Sequence, residues 1–501
     1  MAPNQQPDNV AGMLNENLNE NLKQFQAVFK NCADIHYRQF ELKTGQQGVL
    51  IYLSGMVDTD AIDLDMTRQL IESCMTENST SAEDSARLTE NLQHTIQSKL
   101  GFTSQVNWND DFYSSVEQIL SGDYALLLDG MAQVLTINAK GLETRAIEEP
   151  ATEAVIRGPR DGFQESISTN MSLIRRRLMT AQLKMEMVTI GRLTKTEIAI
   201  TYLEGNAGED LIAEVKKRIG RIQIDAILES CNIEELIEDN SLSPFPQVMV
   251  TERPDKVVGN LLEGRVGIII DNTPFVIVVP GTFFQMLQSP EDYYQRYIIA
   301  SAIRLLRLLS VVSSLLLPSL YIALTTYHHE MIPTMLLISI ASSRETVPFP
   351  AVVEALVMEV AFEGLREAGV RLPRPVGQAV SIVGALVIGQ AAVAAGIVSS
   401  PLVIVISMTG IASFLFPSFQ LGLAFRLLRF PMMIAAATFG LYGILMLLLF
   451  MLLHMLSLQS FGTPYMTPLA PFSRGAIKDV ITRANRRLML KQGPHPSKDR
   501  S

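Results

Sequence analysis

Residues 298–326 read IIASAIRLLRLLSVVSSLLLPSLYIALTT, with Arg304 and Arg307 near the start and an apolar run, LLSVVSSLLLPSLYIALTT, behind them. A helix over that run is long enough to cross the roughly 30 Å hydrocarbon core of a bilayer. Lys and Arg favour the cytoplasmic side, so the helix is expected to run outward from a cytosolic N-terminal half. The chain changes character here. Between Pro375 and Phe425 there is no Asp, Glu, Lys or Arg, and none again from Phe430 to Ser473, whereas residues 1–296 carry most of the acidic groups. The shift near Tyr297 therefore marks a domain boundary.

The whole composition fits a hybrid. At 501 residues, 48% hydrophobic and 18% charged, the chain is too apolar for an ordinary soluble enzyme and too charged for an all-membrane transporter. The first residues, MAPNQQPDNVAGMLNENLNENLKQ, have no basic region followed by an apolar one, so the N-terminal half is expected to stay cytosolic. Cys32, Cys74 and Cys231 are far apart and lack metal-ligand spacing, which fits a reducing compartment. A net charge of −10 argues against nucleic acid as a partner.

The expected fold class is mixed: two small cytosolic α/β (α+β) domains, then an all-α polytopic membrane domain. A loose Asn- and Gln-rich tail covers 1–20 and a first domain 21–148. In that domain 47–57 reads as a strand, 60–73 as a helix, and 123–141 as two strands turned at Asp129-Gly130. Residues 149–170, with turn residues around a short apolar patch, read as a linker. The second domain, 171–290, begins with a helix and two strands over 172–205. An amphipathic helix with a basic face follows at 209–223, then a helix and a hairpin turned at Asp271-Asn272. Neither domain holds a Walker loop, a G-x-G-x-x-G, a zinc spacing or a nucleophile elbow, so no enzyme activity, metal or cofactor is expected. No internal repeat relates two halves of the chain, which argues against a secondary transporter.

The membrane domain is expected over 291–460 with about four to five spans. Gly377–Ile397, Leu402–Ala424 and Pro431–His454 follow the first span, and 331–342 is too short to cross. Gly377, Ser381, Ala385 and Gly389 form a ridge of small residues suited to close helix packing. Gln378 and Gln390 lie at or inside the same span and need partners within protein. His454 reads as interfacial. The tail, 461–501, is basic and predicts the cytoplasmic face, yet Arg426 and Arg429 ahead of the last span predict the same face. Either the last apolar run turns back through LQSFGTPYMTPLAP, or one basic cluster lies outside.

Within this domain 350–368 is an anomaly. On a helical wheel Val352, Leu356, Glu359, Glu363 and Glu367 share one stripe, flanked by Arg366, while Glu354 stands apart. Pro348 and Pro350 precede the helix, and Gly369, Pro373 and Pro375 follow it. Carboxylates facing lipid would cost a few kcal/mol each, so the stripe must face something polar. In one reading the helix lies among headgroups, with Glu363 and Glu367 paired to Arg366, Arg371 or Arg374. In the other, copies from several subunits ring an aqueous pore, where Glu359, Glu363 and Glu367 attract cations and Val352 and Leu356 gate.

Several long motifs carry a family resemblance: GPRDGFQESISTN, IEELIEDNSLSPFPQ, TERPDKVVGNLLEGRVGIIIDNTPFVIVVPGTFFQ, SPEDYYQRY, REAGVRLPRPVGQAVSIVGALVIGQAA, FRLLRFP and SFGTPYMTPLAP. Over roughly 150–490 the chain resembles the A subunits of spore germinant receptors, the GerA family. It departs from the pattern at Ala394 and His329. The resemblance implies a multi-pass protein of the spore inner membrane that acts with a permease-like B subunit and a lipoprotein C subunit. It also implies a homo-oligomer forming a nutrient-gated ion channel. A non-conducting scaffold that couples a permease-like sensor to a separate channel is the alternative.

Overall fold

The computed structural model describes residues 14–41, 46–57, 106–138, 141, 149–150, 152–371, 389–472 and 479–483. The helix expected at 60–73 lies outside them.

The first unit opens with helix α1 (Leu18–Val28), whose N-cap, Asn17, accepts from the Asn19 amide. Strands β1 (Ile35–Glu41), β2 (Gln47–Leu53) and β3 (Val106–Asn109) follow, then α2 (Phe112–Leu120), β4 (Asp123–Leu128) and β5 (Val134–Asn138). Asp111 caps α2 through the Ser114 amide. Five strands pair antiparallel in the order β1-β2-β4-β5-β3. Phe25 of α1, Phe29 just after it, and Phe112 and Ile119 of α2 bury one face of the sheet.

The second unit runs α3 (Ile167–Arg175), β6 (Leu183–Ile190), β7 (Thr196–Leu203), α4 (Glu209–Gly220), α5 (Cys231–Ile237), β8 (Met249–Thr251), α6 (Pro254–Leu262), β9 (Val266–Ile270) and β10 (Val276–Val279). Its antiparallel order is β6-β7-β9-β10-β8. Both sheets therefore set their first, second, fourth, fifth and third strands side by side. The opening hairpins share a register too, since Ile35 faces Leu53 as Leu183 faces Leu203. The N-terminal half thus repeats one sheet topology, which the sequence does not display. The repeat is invisible there because a fold needs only alternating apolar positions, and different side chains supply them.

Arg175 joins the units: Nε donates to Asp34 Oδ2 at 2.8 Å and Nη2 to Oδ1 at 3.0 Å, with both side chains buried. The stretch expected as a linker is held against the second unit. Arg253 Nη1 and Nη2 donate to the carbonyls of Glu153 and Pro159, and α3 starts inside the expected linker at Ile167.

The C-terminal half is helical. After the short α7 (Phe283–Met286) and α8 (Glu291–Tyr294) come α9 (Tyr297–Thr326), α10 (Thr334–Arg344), α11 (Ala351–Arg371), α12 (Ser400–Ser413) and α13 (Phe419–Ser457). Among the described residues α9 and α13 are long and apolar enough to cross a membrane. The span expected at Leu402–Ala424 is instead two helices, α12 ending at Ser413 and α13 beginning at Phe419.

Helix α13 is itself two arms. Gly440 has φ 61° and ψ −139°, outside the helical region and open to glycine alone. Phe425 and His454 lie on either side of it, and a straight helix would hold them about 43 Å apart. Both rings nevertheless lie beside Phe245, at 5.9 and 6.1 Å between centroids. The arms thus fold into a hairpin at Gly440, so that both ends meet the second unit. Arg426 and Arg429 are inside its first arm rather than in a loop. The reversal occurs within the apolar run, not at LQSFGTPYMTPLAP, and the segment after it returns to the side where α9 began.

Candidate functional site

Helix α11 starts after Pro350 and has strong helix formers through most of its length. Its buried face carries Ala351, Glu354, Ala355, Met358 and Glu359. Its open face, at helical spacing, is Val353, Val357, Val360, Gly364 and Glu367, with the valines 36%, 50% and 60% exposed. Val352 and Leu356 are half-buried against the core.

Each glutamate of this helix meets an arginine. Glu354 Oε1 accepts from Arg344 Nε at 3.2 Å, and its Oε2 accepts from the Ser399 amide at 3.1 Å. Tyr321 Oη lies 3.1 Å from Ser399 Oγ, which ties α9 to the same point. Glu359 accepts from Arg429 Nη1, while Arg429 Nε donates to the Ser314 carbonyl of α9 at 2.8 Å. Glu363 is shared between Arg366 at 3.2 Å and Arg426 at 3.1 Å. Arg366 in turn donates to Ser413 Oγ at 2.6 Å and lies over the Phe362 and Phe414 rings. Glu367 and Arg371 pair in the open.

These contacts knit α9, α10, α11, α12 and α13 together. A buried ion pair offsets its desolvation only with good geometry and further hydrogen bonds, as Glu354 has. The Glu359–Arg429 pair is less complete, because Glu359 Oε2 and Arg429 Nη2 have no protein partner among the described residues.

Of the residues expected at the site, the structure brings Glu363 and Arg366 together and pairs Glu367 with Arg371. It buries Glu359 and leaves Glu367 on the open face. Arg374, Gly377, Gln378, Ser381 and Ala385 lie outside the described residues. Gly389 packs beside Val403, where an added Cβ would sit 3.6 Å from Cγ1. Gln390 is exposed instead of partnered. The wheel missed Arg344, Arg426 and Arg429. One signal could have found two of them: Arg426 and Arg429 are the only charges between Pro375 and Ser473, and isolated cations in apolar sequence need anions.

A second cluster joins the helices to the sheets. Asp292 accepts from Arg304 Nε at 2.9 Å and from Arg307 Nη1 at 3.0 Å, with Asp479 also on Arg304 at 3.0 Å. At the far end of α13, Ser460 Oγ donates to the Gln247 carbonyl at 2.6 Å and accepts from the Gly281 amide at 3.0 Å. His454 Nε2 lies 2.9 Å from Ser243 Oγ. Gln420, at the start of α13, donates to Glu234 Oε2 at 2.6 Å. Burial raises the Glu234 carboxyl above its ordinary range. The Gln420 and Ser230 hydrogen bonds oppose the rise, and the charges of Glu229 and Glu235 add to it.

A family described as Bacillus/Clostridium GerA spore germination protein matches residues 23–494. The chain belongs to the GerA spore germination family. Spore germination protein KA of Bacillus subtilis is 46% identical to this GerA-family chain, covering 94% of it and 85% of its own length. Bacillus subtilis membrane protein YfkQ is also 46% identical, covering 95% of this chain and 91% of its own. GerLA of Bacillus cereus is 38% identical over 96% of each. A crystal structure of the N-terminal domain of the A subunit of the Bacillus megaterium spore germinant receptor GerK3 is 32% identical. It covers 55% of this chain and 99% of that one, with a TM-score of 0.42. The family and the apolar helices together point to a germinant-receptor role at a membrane.

Proposed function

We propose that this GerA-family chain is a subunit of a nutrient-responsive germinant receptor in the spore inner membrane. Its sheet units lie in the cytoplasm, and it works with a permease-like B subunit and a lipoprotein C subunit. Several copies surround an axis with the open face of α11 and conduct cations when nutrient binds elsewhere in the complex. The observation that carries this reading is the stripe Val353, Val357 and Val360, exposed in a helix whose glutamates are each paired to an arginine of the same chain.

In that arrangement the valines form an apolar constriction and Glu367 a ring of acids at its mouth. Glu359 and Glu363 hold α11 to α13 and thereby set the closed state, instead of meeting ions. Val352 and Leu356 pack behind the constriction. Opening is a shift between two arrangements of α11, biased by whichever state the nutrient-bound partner prefers.

The pairing of every glutamate in α11 with an arginine of the same chain favours a second reading, a non-conducting scaffold that passes the signal to a separate channel. Val357→Ala with Val360→Ala distinguishes the two. A conducting subunit with a widened constriction releases potassium from spores before any nutrient is added. Unchanged potassium retention at normal subunit abundance supports the scaffold.

A further inference from the structure

Strand β6 is an edge of the second sheet, and the chain already uses half of that edge. Met185 N donates to the Asn31 carbonyl at 3.0 Å, and Ala33 N donates to the Met185 carbonyl at 2.9 Å, in a parallel bridge between Cys32 and Met185. Both backbone groups of Met185 thus point away from β7. Alternation along a strand then turns those of Met187 and Thr189 the same way, beyond the reach of Asn31–Ala33. The open edge ends where Arg192 N donates to the Ile224 carbonyl at 3.0 Å.

Beside this open edge lies a cleft of about 540 Å³ between β6 and the chain that leaves α4. Val188, Ile222 and Ile224 line it and are only partly buried. Gly220 lines it as well, and a Cβ there would meet nothing within 4 Å. At the rim Arg192 and Asp225 neutralise each other at 2.9 Å. The neighbouring Arg221 and Lys195 are exposed and have no ion-pair partner among the described residues.

We propose that this edge receives an extended segment of a partner polypeptide, which continues the Asn31–Ala33 pairing along Met187 and Thr189. The segment carries apolar side chains at alternate positions, seated against Val188, Ile222 and Ile224, and an acidic residue that faces Arg221. An edge strand with free backbone groups is a template for an added strand: main-chain bonds supply affinity, and the alternate pockets supply selection. Continuity with the interface already present fixes the direction and register.

The test uses the full chain in detergent and a fluorescein-labelled peptide, Glu-Ile-Thr-Val-Thr-Val-Glu, against a control with proline at its centre. Anisotropy is expected to show binding of the first peptide at least tenfold tighter than the second. Hydrogen exchange is expected to slow at the amides of Met187 and Thr189. Thr189→Pro removes an outward amide, which an edge strand tolerates, and is expected to weaken binding at least tenfold with an unchanged melting temperature. Gly220→Trp fills the cleft from the α4 side and is expected to do the same, so the test survives if the proline variant fails to fold. Arg221→Glu is expected to weaken binding severalfold. Equal binding of both peptides, or full binding by a folded Thr189→Pro or Gly220→Trp chain, overturns the proposal.

Discussion

Arg429 and Glu359 form an ion pair in which both side chains are about 1% exposed, and no other carboxylate is within salt-bridge distance of that arginine among the described residues. Removing one partner leaves the other as a buried charge, a loss of about 3–5 kcal/mol in comparable sites. Arg429→Met and Glu359→Gln are each expected to lower the melting temperature of the detergent-solubilised chain and its abundance in spores. The double variant Glu359→Leu with Arg429→Met is expected to recover most of that loss. A double variant as unstable as the sum of the singles would show that the two side chains do not act as a pair.

The contact between Arg175 and Asp34 makes the same kind of claim for the two sheet units. It is bidentate, buried, and backed by Arg175 Nη1 donating to the Leu183 carbonyl at 3.1 Å. Asp34→Ala is expected to cost about 3 kcal/mol or more and to loosen the first unit from the second. Limited proteolysis reads this as faster cleavage between the units, whereas Arg160→Ala, at an exposed surface pair, leaves the pattern unchanged.

Glu234 gives the join between α13 and the second unit a pH dependence. Its carboxyl titrates above the ordinary value of about 4.3, so the folded state binds the proton more tightly than the unfolded chain does. The stability it contributes is full below that ordinary value and is lost as pH rises through the raised one. Glu234→Gln keeps a neutral hydrogen-bonding side chain opposite Gln420. It is expected to flatten the decline in melting temperature over this window. A variant that tracks the wild type across the window would remove Glu234 as its source.

Gly440 tests the hairpin. An added Cβ there would lie 2.8 Å from the His328 ring and would force a side chain into a backbone conformation costing about 1–3 kcal/mol. Gly440→Ala is expected to reduce folded yield, while Ala435→Ser, which adds one hydroxyl beside the turn, is expected to reduce it less. Equal yields from Gly440→Ala and the wild type would contradict a reversal at this residue.

Much of the fold is legible from local pattern. The strands at 47–53 and 123–138, the helix at 209–220 and the hairpin at Asp271-Asn272 follow from alternation, helical periodicity and turn residues. What eludes the sequence is set by distance along the chain. The wheel set Glu359 in one stripe with Glu363 and Glu367, whereas the chain buries it on the face of Glu354; its partner lies on another helix, and helix-wheel geometry cannot reach that far. Gly440 sits in an apolar run where glycine is common in membrane helices, and the contacts with α9 and Phe245 single it out. Arg426 and Arg429 suggested a loop because charge inside a span is expensive, and the carboxylates that remove that cost are supplied by α11.

The clamp of Ser460 on the Gln247 carbonyl joins residues 213 positions apart. At a synthesis rate of about 5–20 residues per second, Gln247 leaves the ribosome roughly 10–40 s before its partner exists. Throughout that interval the second unit carries an unfilled berth for a strap still to be made, and α9, at Tyr297–Thr326, is synthesised part-way through it. The clamp is therefore a timing mark, set only after α9 and α13 have been made. A chain that stops short of Ser460 keeps both sheets, α9 and the contacts of Asp292 with Arg304 and Arg307, but lacks this clamp.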